Sequence, residues 1–256
     1  MTPINRRTFM RGALVAAAGA CLSACDRLTS STAIGGILKS AESVNRTLSR
    51  TLIGQSLARE YPASAISAHF RANGTTEPDS ESYRRMAENQ FADYRLEIGG
   101  LVENPLRLSL AELRAAPTRT QITRQDCVEG WSCIAKWQGA PLGSLLNRAG
   151  LKPQARYIAF FCADAPANSL EGKVQYYETI DLNDAYHPQT ILAYEMNDQT
   201  LPIAHGAPLR LRLERQLGYK MAKYIMRLEA IESFASIDGG QGGYWEDRGY
   251  EWYAGI

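Results

Sequence analysis

The residues with the most chemistry to offer lie from residue 127 onward in a 256-residue chain: a cysteine, paired tyrosines, a histidine and a few cations. Cys127 stands in Asp126-Cys127-Val128-Glu129-Gly130-Trp131-Ser132, at the end of an alternating stretch and just before a glycine turn. A strand end brings its side chain to the rim of a sheet, facing a cleft. A thiolate there is a soft metal ligand or a nucleophile, and the same position suits a structural buried cysteine. His205 opens the run His205-Gly206-Ala207-Pro208-Leu209-Arg210. Arg210 alternates with Arg212 along a strand, which is expected to send one inward and one outward. An inward guanidinium is costly without a partner, so it favours an anionic ligand. Lys220 and Lys223 suit either a solvated face or an anion contact. A dithiol of Cys127 and Cys133 is the competing redox reading, but its spacing is not the C-x-x-C of a redox helix. Three histidines and no paired cysteine spacing argue against zinc.

Length and composition say what holds these groups in place. The chain is long enough to bury a sizeable core without disulfides. With 45% hydrophobic and 21% charged residues, its body reads as an ordinary globule. Lys plus Arg total 28 against 27 for Asp plus Glu, a formal charge of +1, which speaks against a nucleic-acid partner. No G-x-G-x-x-G, Walker loop or H-E-x-x-H helix occurs. Apolar residues at three-, four- and seven-residue steps from Ile34 to Leu57 predict an amphipathic helix. Residues 71–82 read as loop. Strands are expected at Tyr94–Val102, Pro105–Leu108, Thr120–Asp126, Arg156–Ala163, Val174–Ile180, Thr190–Glu195, Leu209–Arg215 and Lys223–Glu232. Ser109 and Glu112 form a capping-box pattern before a short helix. Pro141 and Gly150 bracket another. The fold class is α+β, mixed and β-rich.

The first 25 residues read as an address. Arg6 and Arg7, followed by Phe9 and an apolar run too short to span a bilayer, resemble a twin-arginine export signal. Leu22-Ser23-Ala24-Cys25 resembles a lipobox, which would make acylated Cys25 a possible lipid anchor on the inner membrane. A periplasmic location permits disulfides, yet Cys127, Cys133 and Cys162 are an odd number. The expected organisation is 1–25 signal, 26–60 tether and helix, and 61–256 catalytic body.

Three ordered motifs carry a resemblance across most of that body. The run Leu192-Ala193-Tyr194-Glu195-Met196-Asn197, with Leu201-Pro202 and His205 to Arg210, is one. Gly218-Tyr219-Lys220 with Lys223-Tyr224 is the second, and the cysteine before its glycine turn is the third. Together they resemble the molybdopterin-binding domain of the sulfite oxidase family. The resemblance implies a mononuclear molybdenum–molybdopterin cofactor with Cys127 as the metal ligand. It implies cofactor contacts from Phe70, Arg71, Asn73, Asp164, His205, Arg210, Met221, Ala222 and Lys223, and an active-site tyrosine at Tyr176 or Tyr177. Arg71 is displaced by one position from the family's loop pattern, and Gly74 stands where a histidine is usual.

Sulfite oxidases carry extra cations after the ligand cysteine, whereas Val128, Glu129 and Trp131 stand here. That departure is similar to the family's exported sulfoxide-reducing members. The implied reaction is oxygen-atom transfer, as reduction of a sulfoxide or N-oxide with electrons from a haem protein or cytochrome. Oxidation of sulfite or another small sulfur compound is the reverse direction, and a cofactor-free binding module of the same fold is the third reading. Trp131, Trp245 and Trp252 are expected either to wall the pocket or to pack in the core.

Overall fold

A computed structural model describes residues 44–48, 50, 51, 54–166 and 174–256. The export signal, Cys25 and most of the expected first helix lie outside the described residues. Residues 44–48, 50 and 51 are helical, but Gly54 already turns, with φ +55° and its N–H on the Arg50 carbonyl at 3.0 Å. The helix therefore stops short of Leu57, because a glycine in the left-handed region ends it. The chain divides after Gly54, and Gln55–Ile256 form the second, compact unit.

The second unit contains two five-stranded sheets. The first has the order β2-β1-β10-β5-β6, from β1 (Arg95–Gly100), β2 (Leu106–Ser109), β5 (Tyr157–Cys162), β6 (Tyr177–Asp181) and β10 (Ile225–Ile231). Only the β1–β10 pair is parallel. The second runs β3 (Arg119–Asp126), β4 (Ser132–Pro141), β7 (Ile191–Met196) and β8 (Gln199–Thr200), with β9 (Arg210–Arg212) also paired to β7. Among the described residues four α-helices accompany them: α1 (Glu81–Glu88), α2 (Leu110–Ala115), α3 (Leu142–Ala149) and α4 (Leu182–Ala185).

Strand β7 shows why the second sheet is rigid. Leu192 and Tyr194 enter the main core, which reaches Leu96, Ile158 and Leu228 of the first sheet. Ile191, Ala193 and Met196 enter a smaller core on the other face, with Phe70, Ala135 and Trp137. Burial on both faces explains the unbroken apolar run Ile191-Leu192-Ala193-Tyr194. Gly139 on β4 lets that strand close on β7, since a Cβ there would lie 2.3 Å from the Leu192 carbonyl oxygen.

Several boundaries differ from expectation. Strand β4 buries Ala135 and Trp137 in the smaller core and Ala140 in the main core, with polar or small residues between them, so its alternation is faint in the sequence. Helix α1 falls partly in the expected loop, because Ser80 caps the Tyr83 N–H and Tyr83 alone is buried. Strand β6 starts at Tyr177 rather than Val174, and β10 at Ile225 rather than Lys223. The capping box at Ser109 and Glu112 is present as expected.

Candidate active site

Cys127 closes β3 at the mouth of the β3–β4 hairpin. Its N–H reaches the Trp131 carbonyl at 2.9 Å, and its carbonyl accepts from Gly130 at 3.0 Å, with Gly130 at φ +83°. The thiol is free, 8% exposed, and faces a cavity of about 140 Å³. Burial raises its pKa, and the Glu129 carboxylate adds to that, while the Glu129 and Val128 amides and Arg71 act against it. Amides aimed at sulfur favour the anionic, ligating form.

Asn73, Asp164, Tyr176, Met221 and Lys223 meet Cys127 around this cavity. Lys223 joins its walls. Its ammonium donates to the Asn73 carbonyl at 2.7 Å, the Ala204 carbonyl at 3.2 Å, and the Thr75 carbonyl. Burial, then the charge of Arg210, lowers it to about 7. Asp164 is 4% exposed, and its Oδ1 has no partner. Burial raises its carboxyl to about 6. Between the two tyrosines the geometry separates the roles. Tyr176 lines the cavity, donates its hydroxyl to the Tyr219 carbonyl and stacks on Tyr244 at 5.5 Å. Tyr177 instead donates to Asp247 at 2.5 Å and to the Ile237 carbonyl at 3.3 Å, away from the cavity lining.

The remaining expected residues do not line this cavity. Arg71 is exposed, 3.5 Å from Glu129 and over the Trp131 ring. Phe70 packs edge-on against Trp137 and His205 in the smaller core. Ala222 is buried, and its carbonyl accepts from Leu211 at 2.8 Å. His205 and Arg210 lie beside Lys223: a Cβ on Gly206 would sit 2.9 Å from the Lys223 Cβ and 3.2 Å from the Arg210 Cβ.

Arg210 and Arg212 both point inward, contrary to expectation. Residues two apart on a strand share a face, and both guanidinium groups converge on Gln125 Oε1, at 3.0 and 2.6 Å, and on the Trp137 ring. Arg212 is matched by Glu214 at 2.7 Å. Arg210 donates to the His205 carbonyl at 3.0 Å and has no carboxylate of its own among the described residues. Burial, then Arg212, lowers its guanidinium to about 9. His205 is lowered to about 4, by burial and then by Arg210, Lys223 and His69.

Three buried polar atoms therefore lack partners here: His205 Nδ1, Arg210 Nε and Asp164 Oδ1. Buried polar atoms in native proteins are normally satisfied, so this cluster is built for a polar ligand. Its surplus of buried cations selects an anionic group. A molybdopterin fits: a soft metal for Cys127 at one end, and a phosphate for the cations at the other.

The sequence reading missed Thr75, Gly218, Tyr219 and Tyr250 in the lining. Tyr219 and Gly218 belong to the motif that contains Lys220, which was the available signal. Of the three tryptophans only Trp245 lines the cavity. Trp131 donates to Glu129 at 2.9 Å, and buried Trp252 donates to Thr179 at 2.9 Å.

Residues 84–236 match the family described as oxidoreductase molybdopterin binding domain. Over 251 residues the chain is 36% identical to "Putative protein-methionine-sulfoxide reductase subunit YedZ1" of Azospira oryzae, covering 98% of this chain and 87% of that one. It is 36% identical over 148 residues to the protein-methionine-sulfoxide reductase catalytic subunit MsrP of Gluconobacter oxydans, covering 54% of this chain and 47% of that one. The MsrP of Xanthomonas axonopodis pv. citri is 32% identical over 170 residues, or 64% and 52% of the two chains. Among solved structures, the sulfane dehydrogenase SoxCD from Paracoccus pantotrophus aligns over 70% of this chain and 46% of that one, with TM-score 0.49 and 22% identity.

Proposed function

Given that the chain belongs to the oxidoreductase molybdopterin-binding family, and is thus a molybdenum oxidoreductase of the sulfite oxidase type, we propose that it reduces a sulfoxide, with peptide or free methionine sulfoxide as the leading substrate. The observation that carries this reading is the lining of the cavity. Its one cation among the described residues is Lys223, already tied to three carbonyls. Glu129, Met221, Trp245 and Tyr250 make up much of the rest. An anion such as sulfite meets a carboxylate and aromatic rings there. A neutral methyl sulfoxide meets apolar surface that suits its carbon and sulfur. The names of the relatives from Azospira and Gluconobacter support the same substrate class.

When bound, the cofactor supplies a two-electron centre that accepts an oxygen atom. The chain's own residues do the rest. Cys127 anchors the metal. His205 and Arg210 hold the anionic end, with Lys223 beside them. Tyr176, its hydroxyl fixed on Tyr219, stiffens the wall. Asp164, with a carboxyl near 6, holds a proton at the cavity in mildly acidic conditions. Reduction of a sulfoxide consumes two electrons and two protons and releases water. The electrons come from a haem protein, one at a time. Export of the folded protein by the twin-arginine route, with Cys25 acylated at the inner membrane, completes the proposal.

The test is molybdenum analysis of exported protein and of Cys127→Ser, then a screen of methionine sulfoxide, an N-oxide and sulfite with a one-electron dye. About one molybdenum per chain, sulfoxide turnover and no sulfite oxidation are expected. Sulfite oxidation without sulfoxide turnover overturns the direction.

A further inference from the structure

Lys220 was expected either on a solvated face or at an anion, and it is buried against anions that belong to the protein itself. Its ammonium lies 2.5 Å from Glu178 Oε1 and 2.5 Å from Glu246 Oε1, and it donates to the Thr179 carbonyl at 3.2 Å. All three side chains are at most 1% exposed. Glu178 is on β6, Lys220 ends the 3-10 turn Gly218–Lys220, and Glu246 opens the 3-10 turn Glu246–Arg248. Each has a cavity-lining neighbour: Tyr176 before Glu178, Tyr219 and Met221 around Lys220, and Trp245 before Glu246. One cluster thus ties together three segments of the wall.

Its charges do not balance. Two carboxyl groups face one ammonium. Oε2 of Glu178 and Oε2 of Glu246 have no partner. The packing leaves little slack, since a Cβ on Gly243 would fall 2.1 Å from Glu246 Oε2 and 2.9 Å from Glu178 Oε1. The other titratable groups that feel Glu178 are Cys162 on β5, Tyr176 just before β6 and Tyr177 at its start. They are neutral acids and add no cation. The Trp252 ring, 5.2 Å from the ammonium, adds none either. Asp247, next along the tail, is committed to Tyr177. A second buried anion without a counter-charge is costly enough to be neutralised.

We propose that Glu178, Lys220 and Glu246 form a one-proton clasp: two carboxyl groups share one proton over one ammonium, and the clasp positions the Tyr176, Tyr219–Met221 and Trp245 walls of the cavity. Burial, then the charge of Glu246, raises the Glu178 pKa, in agreement with the charge count. Burial alone would lower Lys220, but the two carboxyl groups raise it. A carboxyl raised on folding stabilises fully below its unfolded value. That contribution declines as pH rises from there through the folded value.

Glu246→Gln removes the need for the proton while keeping an oxygen for Lys220. Glu246→Ala also removes the proton but leaves no oxygen to hold the tail. Full-length wild type and both variants are unfolded in urea between pH 6 and 8. Relative to wild type, the unfolding constant of Glu246→Gln is expected to lose about a tenfold rise per pH unit, the signature of one proton. Parallel pH dependences overturn the shared proton, since both carboxylates are then ionised. For positioning, the Mo(V) electron paramagnetic resonance spectrum of the holoenzyme is expected to be unchanged in Glu246→Gln and altered in Glu246→Ala. A wild-type spectrum in Glu246→Ala overturns the positioning role. Neither readout depends on which substrate the enzyme takes.

Discussion

Arg210→Met separates a ligand-binding arginine from a structural one. Burial, then Arg212, pulls this guanidinium from 12.5 to about 9. At about 1.4 kcal/mol per pH unit, holding the charge in the cofactor-free chain costs about 5 kcal/mol. That cost is fully present at pH 7, below both values. Two charge-assisted hydrogen bonds, to the His205 carbonyl and Gln125 at 3.0 Å each, offset it by about 1.5–3 kcal/mol apiece. The terms nearly cancel, and Gln125 keeps Arg212 as a donor after the substitution. The cofactor-free chain should therefore change in stability by less than about 2 kcal/mol, where breaking a matched buried pair costs about 3–5 kcal/mol. The bound cofactor loses a charge-assisted contact, so its retention should fall about tenfold to a hundredfold. The assay is urea unfolding of protein from a host unable to make molybdopterin, beside molybdenum per chain during timed dialysis. A loss above about 4 kcal/mol in the cofactor-free chain, with full molybdenum retained by the holoenzyme, would refute the reasoning and make Arg210 a strut.

Asp164→Asn tests the buried carboxyl whose Oδ1 has no partner. Its pKa rises from 3.8 to about 6 on folding, so its stabilising effect is complete below 3.8 and lost as pH climbs through 6. Cofactor-free wild type should lose about 3 kcal/mol across that window through this group, and urea titrations of Asp164→Asn should lack that decline. Gly139→Ala pushes a Cβ to 2.3 Å from the Leu192 carbonyl and 2.6 Å from the Ala193 Cα. Because both are backbone, calorimetry should show a melting temperature lower by more than about 4 °C. Glu129→Arg reverses the charge at the cavity, so sulfate should inhibit sulfoxide turnover more strongly in the variant than in wild type. Equal inhibition constants would count against the lining argument.

Much of the fold was legible because its strands are buried on alternate or on both faces. The apolar run of β7 and the capped start of α2 could be read directly. Strand β4 could not, because small and polar residues surround its anchors Ala135 and Trp137. The motif residues pointed to the correct region, but periodicity alone does not assign depth. Lys220 and Lys223 are three apart in one motif, yet one is sealed between carboxylates and the other reaches the carbonyls of residues 73, 75 and 204. Their surroundings come from distant segments, and no local pattern reports them. The choice between Tyr176 and Tyr177 was open for the same reason: the two are adjacent at the start of β6, and only the partners Tyr219 and Asp247 show which side each takes.

The places where expected strands end early are also where the cavity is built. Strand β6 was expected from Val174, yet Tyr176 stays outside it and turns to the cavity. Strand β10 was expected from Lys223, yet Tyr224 takes φ +56° and gives its N–H to the Gly206 carbonyl at 3.2 Å. A regular strand through Lys223 and Tyr224 would commit their backbone to the ladder. The kink instead frees Lys223 to gather three carbonyls around the ligand-facing end. A non-glycine residue at positive φ is uncommon and needs the surrounding packing to hold it. Here Tyr83, stacked edge-on to Tyr224 at 5.5 Å, and the Thr75 carbonyl, which accepts from its hydroxyl at 2.9 Å, do so. Helix α1 thus acquires a purpose beyond its own weak burial. Its one fully buried residue braces the kink that places the cation, while Met86 and Ala87 rest against the main core beside it.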